Sequence, residues 1–454
     1  MNELDWTGKR MVIIGAARQG LALAEYAVAK GAQVVLTDAR SADQLADAQQ
    51  RLEALPVEWV LGGHPSSLLQ KTDYLAPSGG VPSDLPLILE ARRKGILVTN
   101  DSQLFLEASP ATTIGITGSS GKTTTTTLVG RMLRHMDGAT VWIGGNIGHP
   151  LISDLDQMKP GDLAVMELSS FQLEWMTRSP QVAVLLNLAP NHLDRHKTMA
   201  EYAAAKAHIF DYQSEDDSAV VGREDLGAWA LASRAPGRLL SFGRDELKEG
   251  QYGTFVRGRQ IWLRDEENEL PLLPTSSIEL LGEHNLLNVL AACAIASTVG
   301  ASPEAMQAGV EGFRGAPHRL EWVATVNGAD WYNDSIATSP QRTMAALKAF
   351  EKPIVLLLGG RDKGLPWGEL AKAAKGRCRG VVLFGEAAGM LRPTFNQAGL
   401  DTAQAEDLAG AVKAAAGLAQ AGDVVLLSPG ATSYDQYQDF EERGQRFREL
   451  VGEL

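Results

Sequence analysis

The chain has 454 residues, 44% hydrophobic and 21% charged, which suits a globular protein of roughly three domains at about 150 residues each. A formal charge of −13 argues against a nucleic-acid surface, so any anionic ligand must be met by local cationic clusters. MNELDWTGKR lacks the apolar core of a signal peptide, runs such as VAVLLNLA are too short to span a bilayer, and the two cysteines, Cys293 and Cys378, fit a reducing compartment; a cytoplasmic protein without membrane insertion is expected.

From Met11 to about Asn100, short apolar runs (MVII, VVLT, VEWV, YLA, ILVT) alternate with helical stretches such as LALAEYAVAK, which predicts a parallel sheet covered by helices. Its first turn is GAARQG, residues 15–20, and Asp38 closes the second strand. Taken alone, this is a worn dinucleotide fingerprint with Ala17 in place of the second glycine, and it leaves a nicotinamide-cofactor reading open. DYLAPSGGVPSDLP reads as a loop at the carboxyl end of a strand, the edge where open parallel sheets bind ligands. A domain boundary is expected at 108/109.

TTIGITGSSGKTTT, residues 112–125, follows that boundary. An apolar strand, glycines at a turn, Lys122, Thr123 and then a helical pattern make phosphate-loop architecture. Backbone N–H groups at the helix start meet anionic oxygens, the lysine adds charge, and the hydroxyl can hold Mg2+. Five residues rather than four separate Gly115 from Gly121, so an ordinary glycine turn before a helix is the competing reading.

Downstream, Glu167 ends one predicted strand and His192 follows another, placing a carboxylate and an imidazole at the same edge as the loop, where they could position a hard cation; capping or loop roles are the plain alternatives. Lys206, on a helical stretch, reads as a solvated lysine. Residues 244–274 are polar and turn-rich, consistent with an antiparallel excursion. GEHNLLNVLAACAIAS predicts an apolar helix whose Asn285 and Asn288 could meet a base edge or cap the helix. A second boundary is expected at 314/315, within GFRGAPHRLEWV. The region beyond it has strands near DWYN, PIVLLLGG, GVVLFG and DVVLLSPG, which end in the polar loops NDSIATSP, GGRDKG and SPGATSYDQYQDF.

In this order TGSSGKTT, GGNIG, ELSSFQL, NHLDRH, GEHNLLN, GAPHR, GGRDKG and LSPGATSYDQYQDFEERG resemble the bacterial Mur ligases over essentially the whole chain. The resemblance implies a three-domain α/β architecture. It comprises a Rossmann-like UDP-binding domain (1–108), a central P-loop ATPase-type domain with a mostly parallel sheet (109–314) and a Rossmann-like amino-acid-binding domain (315–454). It also implies an acid–amino-acid ligase of peptidoglycan synthesis that consumes ATP with two Mg2+ ions. GGRDKG and SPGATSYDQYQDF favour the members that add D-glutamate to UDP-N-acetylmuramoyl-L-alanine. An L-glutamate-adding or other Mur ligase is the alternative; an NAD-dependent dehydrogenase or a noncatalytic UDP-sugar-binding protein is more remote. The working unit is expected to be a monomer.

Residue by residue, the resemblance assigns the ATP phosphates to Gly118, Ser119, Ser120, Gly121, Lys122, Thr123 and Thr124, and the rest of the nucleotide to Asn285, Asn288, Arg319 and Asp334, with Arg319 and Asp334 contributed from the third domain. Thr123, Glu167, His192 and Lys206 match the metal region, with Lys206 carried as a carbamate, and Lys122 joins them as catalytic. Gly15, Arg18, Gln19, Asp38, Arg40, Ser78, Gly80 and Asn146 match contacts to the UDP substrate, which reassigns the dinucleotide-like turn. Thr338, Lys363, Ser433 and Phe440 match contacts to the incoming amino acid. Ile336 stands where lysine is common in the D-glutamate-adding members; Lys363 or Arg361 could supply the missing cation.

Overall fold

The computed structural model describes residues 6–146, 148–280 and 282–454. Three sheets organise the chain. The first is all parallel, in the order β3-β2-β1-β4-β5, from β1 (Arg10–Ile14), β2 (Gln33–Asp38), β3 (Val57–Leu61), β4 (Tyr74–Pro77) and β5 (Leu97–Val98). Its central strand is apolar on both faces, with Met11 to Ile14 fully buried, as a sheet covered by helices on both sides requires.

The second sheet has nine strands. They are β6 (Thr112–Thr117), β7 (Val141–Gly145), β8 (Leu163–Glu167), β9 (Val182–Leu185), β10 (Ser218–Gly222), β11 (Arg238–Phe242), β12 (Gly253–Arg257), β13 (Gln260–Arg264) and β14 (Glu269–Pro274), in the order β14-β13-β12-β11-β10-β9-β6-β8-β7. From β7 to β12 the neighbours run parallel; β12, β13 and β14 pair antiparallel, the excursion expected from residues 244–274. The third sheet, β15-β16-β20-β17-β18-β19, comprises β15 (Glu321–Val326), β16 (Ala329–Asn333), β17 (Ile354–Gly359), β18 (Cys378–Phe384), β19 (Thr402–Gln404) and β20 (Val424–Gly430). It is parallel except for β15, which pairs antiparallel with β16 at one edge.

The chain divides into two compact units. One runs to Ile278 and takes in Glu283–Glu311, holding the first two sheets; the other comprises Glu279–Gly282 and Gly312–Leu454 and holds the third. Among the described residues no helix is long and apolar enough to cross a membrane.

Gly115 lies inside β6, paired with Met166 and Ala183, within the apolar strand expected ahead of the turn. A Cβ there would lie 2.5 Å from Pro180 Cγ and 2.9 Å from Leu168 Cδ1, so this glycine serves packing beneath the sheet edge. The turn itself is Gly118–Gly121. Gly121 has φ +82° at the N-cap of the helix Lys122–Leu133, where a β-carbon would lie 2.4 Å from Asn288 Oδ1. Only glycine satisfies both conditions without strain.

Candidate active site

The order β7-β8-β6-β9 brings four carboxyl ends side by side, and the chemistry-bearing residues of the first unit gather there. Glu167, last residue of β8, is 2% exposed. It accepts from Thr123 Oγ1 at 2.8 Å and from Asn146 Nδ2 at 2.9 Å, so its carboxylate is held between the phosphate-loop helix and the loop after β7. Asn146 N also donates to Glu167 O at 2.8 Å, fixing that loop to the strand end. Lys122 Nζ donates to Gly118 O at 3.0 Å, within its own loop.

Lys206 corrects the reading of a solvated lysine: it is 1% exposed. The helix Met199–Asp211 turns it inward, where Nζ donates to Thr117 Oγ1 at 2.9 Å and Gly118 O at 3.1 Å and lies 5.0 Å from the Tyr202 ring centroid. Burial pushes its pKa well below that of a free lysine; the Lys122 charge pushes the same way and Glu167 opposes. The amine is therefore driven toward the neutral, nucleophilic form. His192, with φ +54°, sits on the loop after β9 and meets the Phe171 ring edge-on at 5.0 Å between centroids.

Asn187, which the sequence did not single out, braces the phosphate loop. Its Oδ1 accepts from Ser120 N at 2.9 Å and its Nδ2 donates to Ser120 O at 3.1 Å. Ser119 Oγ donates to Ala189 O at 2.9 Å, tying the same loop to the segment that leads to His192. Asn288 and Asn285 are both buried and bonded to each other, Nδ2 to Oδ1 at 2.7 Å, and Asn288 faces the start of the phosphate-loop helix through Thr125 Oγ1 at 3.5 Å. Thr124, next to Thr123, is buried in the same helix.

At the edge of the first sheet, Gly15 (φ +100°) follows β1 and Arg18 opens the helix Arg18–Ala29. Gly20 is packed so closely that a Cβ would lie 1.9 Å from Gly15 O. Ser78 Oγ donates to Gly15 O at 3.2 Å, and Gln19 Oε1 lies 3.4 Å from where a Cβ on Gly79 would stand, so both predicted loops share one edge. Asp38 is engaged on both oxygens, by Ala16 N at 2.8 Å and by Arg40 through its backbone N and guanidinium. Burial raises its pKa, but the Arg40 and Ala16 donors and the Arg40 charge win, lowering it to about 2. Arg195 reaches this edge from the second sheet, donating to Gly80 O at 3.1 Å and Val81 O at 2.7 Å while stacking 4.6 Å over Phe171.

In the second unit, loops at the carboxyl ends of β16, β17 and β20 converge. Ala337 O accepts from Gly430 N at 2.8 Å, and Arg361 and Thr432 form a bridge, so the segments carrying Thr338, Lys363 and Ser433 are neighbours. Lys363 Nζ donates to Thr338 Oγ1 at 3.4 Å; Ser433 is buried; Phe440 opens the helix Phe440–Gly452 and its carbonyl accepts from Ser335 Oγ at 2.8 Å. Asp334 is 5% exposed, accepts from Ser428 Oγ at 2.8 Å, and burial raises its pKa to about 7 against the pull of Ser428 and Arg319. Arg361 does not fill the gap left at Ile336: it is exposed and paired with Glu386 at 2.8 Å.

Buried Glu167 held by Thr123 and Asn146 next to a glycine loop, a desolvated lysine beside that loop and, in the other unit, a cluster of Lys363, Thr338 and Ser433 suit a nucleotide-dependent ligase. The family model for the Mur ligase middle domain matches residues 116–296, that for the Mur ligase glutamate ligase domain 318–430, and that for the MurD-like N-terminal domain 9–100. The chain belongs to the Mur ligase family. Within it the likeness is to the MurD members: UDP-N-acetylmuramoylalanine--D-glutamate ligase of Koribacter versatilis is 39% identical, covering 99% of both chains, and the enzyme of the same name from Symbiobacterium thermophilum is 40% identical over 98% of both. The crystal structure of the UDP-N-acetylmuramate-alanine ligase MurC from Thermotoga maritima shares the fold, with a TM-score of 0.57 at 20% identity, covering 98% of this chain and 99% of that one.

Proposed function

We infer that the chain joins D-glutamate to UDP-N-acetylmuramoyl-L-alanine in peptidoglycan precursor synthesis, with ATP converted to ADP and phosphate. The full-length likeness to ligases of that name carries the reading. The residues support it chemically. A carboxylate does not condense directly with an amine, because oxide is not a leaving group; transfer of the ATP γ-phosphoryl to the alanyl carboxylate gives an acyl phosphate, and attack by the glutamate amine forms the C–N bond and expels phosphate. Lys122 neutralises the transferring group, the amides of 118–124 orient it, and Asn187 keeps that loop in place.

Thr123 Oγ1 and the Glu167 carboxylate, 2.8 Å apart at the phosphate loop, offer the oxygen donors that Mg2+ favours, since that ion takes one or two protein oxygens and completes its shell with water and substrate phosphates. Thr123, Glu167 and His192 would hold the ions, which supply charge neutralisation at the phosphoryl group. Lys206 would join them as a carbamate, its neutral amine having added carbon dioxide. Asn146 is assigned to the UDP substrate together with Gly15, Arg18, Gln19, Asp38, Arg40, Ser78 and Gly80; Asn285, Asn288, Arg319 and Asp334 to the nucleotide; and Thr338, Lys363, Ser433 and Phe440 to D-glutamate. Domain bounds at 108/109 and 314/315, a monomer and a cytoplasmic location belong to the same proposal.

Phosphate release from ATP and Mg2+ with UDP-N-acetylmuramoyl-L-alanine, compared for D-glutamate, L-glutamate, D-aspartate and meso-diaminopimelate with product mass checked, tests it. Turnover with D-glutamate alone is the expected result. Preference for another acceptor would move the substrate, and no turnover with any would overturn the reading.

A further inference from the structure

Arg342 belongs to no sequence motif, yet its placement is hard to explain structurally. It lies in the first turn of the helix Pro340–Leu347, where the helix dipole disfavours a cation. Its Nη1 donates to Ile336 O at 3.0 Å, which aims the guanidinium along the segment where the family pattern has lost a lysine. Arg342 remains exposed to solvent, yet desolvation by neighbouring atoms and then repulsion from Arg319 weaken its charged form, with Asp334 opposing. Lys363, also exposed, is likewise weakened as a cation by partial desolvation and then by Arg342 and Arg443. Arg319 meanwhile keeps a buried Nε with no hydrogen-bond partner among the described residues.

Arg319 and Arg342 thus both act on Asp334, Lys363 adds a third cation beside Arg342, and Ile336 O accepts from both Arg342 Nη1 at 3.0 Å and Thr338 N at 2.9 Å, which brings the guanidinium to the Thr338 segment. Such a cluster is unfavourable unless an anion joins it, and a guanidinium is well suited to grip a carboxylate through two parallel N–H donors.

We propose that Arg342 binds a carboxylate of the incoming dicarboxylic amino acid, working with Lys363 and Thr338, and so replaces in space the cation that Ile336 lacks in sequence. Lys363 and Thr338 already converge at 3.4 Å on the same set of strand ends, and Arg342 extends that donor set by a planar fork. The inference rests on the D-glutamate ligase reading above.

The test is steady-state phosphate release by the full chain as wild type, Arg342→Leu, Arg342→Lys and the double variant Arg342→Leu with Ile336→Lys, each substrate varied in turn. Arg342→Leu should raise KM for D-glutamate at least about tenfold while KM for ATP stays within about twofold, as expected for a lost charge-assisted contact to that substrate alone. Arg342→Lys should keep part of the affinity, and Ile336→Lys should restore part of it to the leucine variant. D-Glutamine, lacking the side-chain charge, should be discriminated less by Arg342→Leu if the side-chain carboxylate is the one held, and equally if it is the α-carboxylate. An unchanged KM for D-glutamate, or a rise in KM for ATP in its place, would overturn the assignment, the latter marking a phosphate contact. Wild-type enzyme inactive with D-glutamate would instead sink the reading beneath it, and an unshifted thermal transition of each variant separates either result from misfolding.

Discussion

Replacing Lys206 by methionine should make the protein more stable and nearly inactive. The side chain is 1% exposed, and its amine makes two hydrogen bonds, worth about 1 kcal/mol each. Neither acceptor is orphaned by the change. Gly118 O keeps Lys122 at 3.0 Å, and Thr117 Oγ1 still donates to Leu168 O at 2.7 Å. On the other side, burial and the Lys122 charge push the pKa of this amine well below that of a free lysine, and each pH unit of that lowering costs up to about 1.4 kcal/mol of folding free energy. A lowering of more than about one and a half units outweighs the two hydrogen bonds and leaves the balance in favour of methionine.

The sign of the pH dependence follows. The unfolded chain binds a proton that the folded chain does not, from the lowered folded pKa up to about 10.4, so wild-type stability rises with pH across that window by at most about 1.4 kcal/mol per unit. Lys206→Met should lack that rise. Calorimetry in carbon-dioxide-free buffer at pH 7 and 9 reads both effects. Activity should fall at least about a hundredfold, as for loss of a group holding charge at the phosphoryl site. In Lys206→Ala, a short carboxylic acid should restore part of it. A destabilised methionine variant, or wild type and variant with equal pH slopes, would refute the account of this buried amine.

Two further outcomes test the framework. Gly121→Ala places a β-carbon 2.4 Å from Asn288 Oδ1 at a φ of +82°, so it should destabilise the protein by about 1–3 kcal/mol and weaken ATP binding, read by urea denaturation and by nucleotide titration; wild-type values would show that this turn is not sterically set. Asp334, with its pKa raised to about 7, binds a proton in the folded state that the unfolded state releases above about pH 4, so its contribution to stability falls as pH rises from about 4 to 7, by up to about 4 kcal/mol. Asp334→Asn should remove that fall, seen as a wild-type-minus-variant difference in denaturant midpoint between pH 5 and 8; a difference constant with pH would contradict it.

The strand-and-helix alternation, the phosphate loop and the loops at the strand ends were legible in the chain itself, because apolar runs set the sheets and glycine, lysine and threonine at a strand-to-helix turn announce the chemistry. Local sequence also implied the antiparallel excursion of β12 to β14, since polar alternation and turns act over a few residues. What a side chain faces across the fold is not local. The same helical pattern carries a lysine in water or one sealed against Thr117, and only the packing of Met199–Asp211 on the end of β6 put Lys206 inside. The pairing of Asn146 with Thr123 on Glu167 depends on β7 and β6 flanking β8, a register between distant segments. Arg342 carried no signal at all: a cation in the first turn of an ordinary helix acquires meaning only when the third sheet brings Arg319, Asp334 and Lys363 around it, because charges interact through space and the chain records only their order.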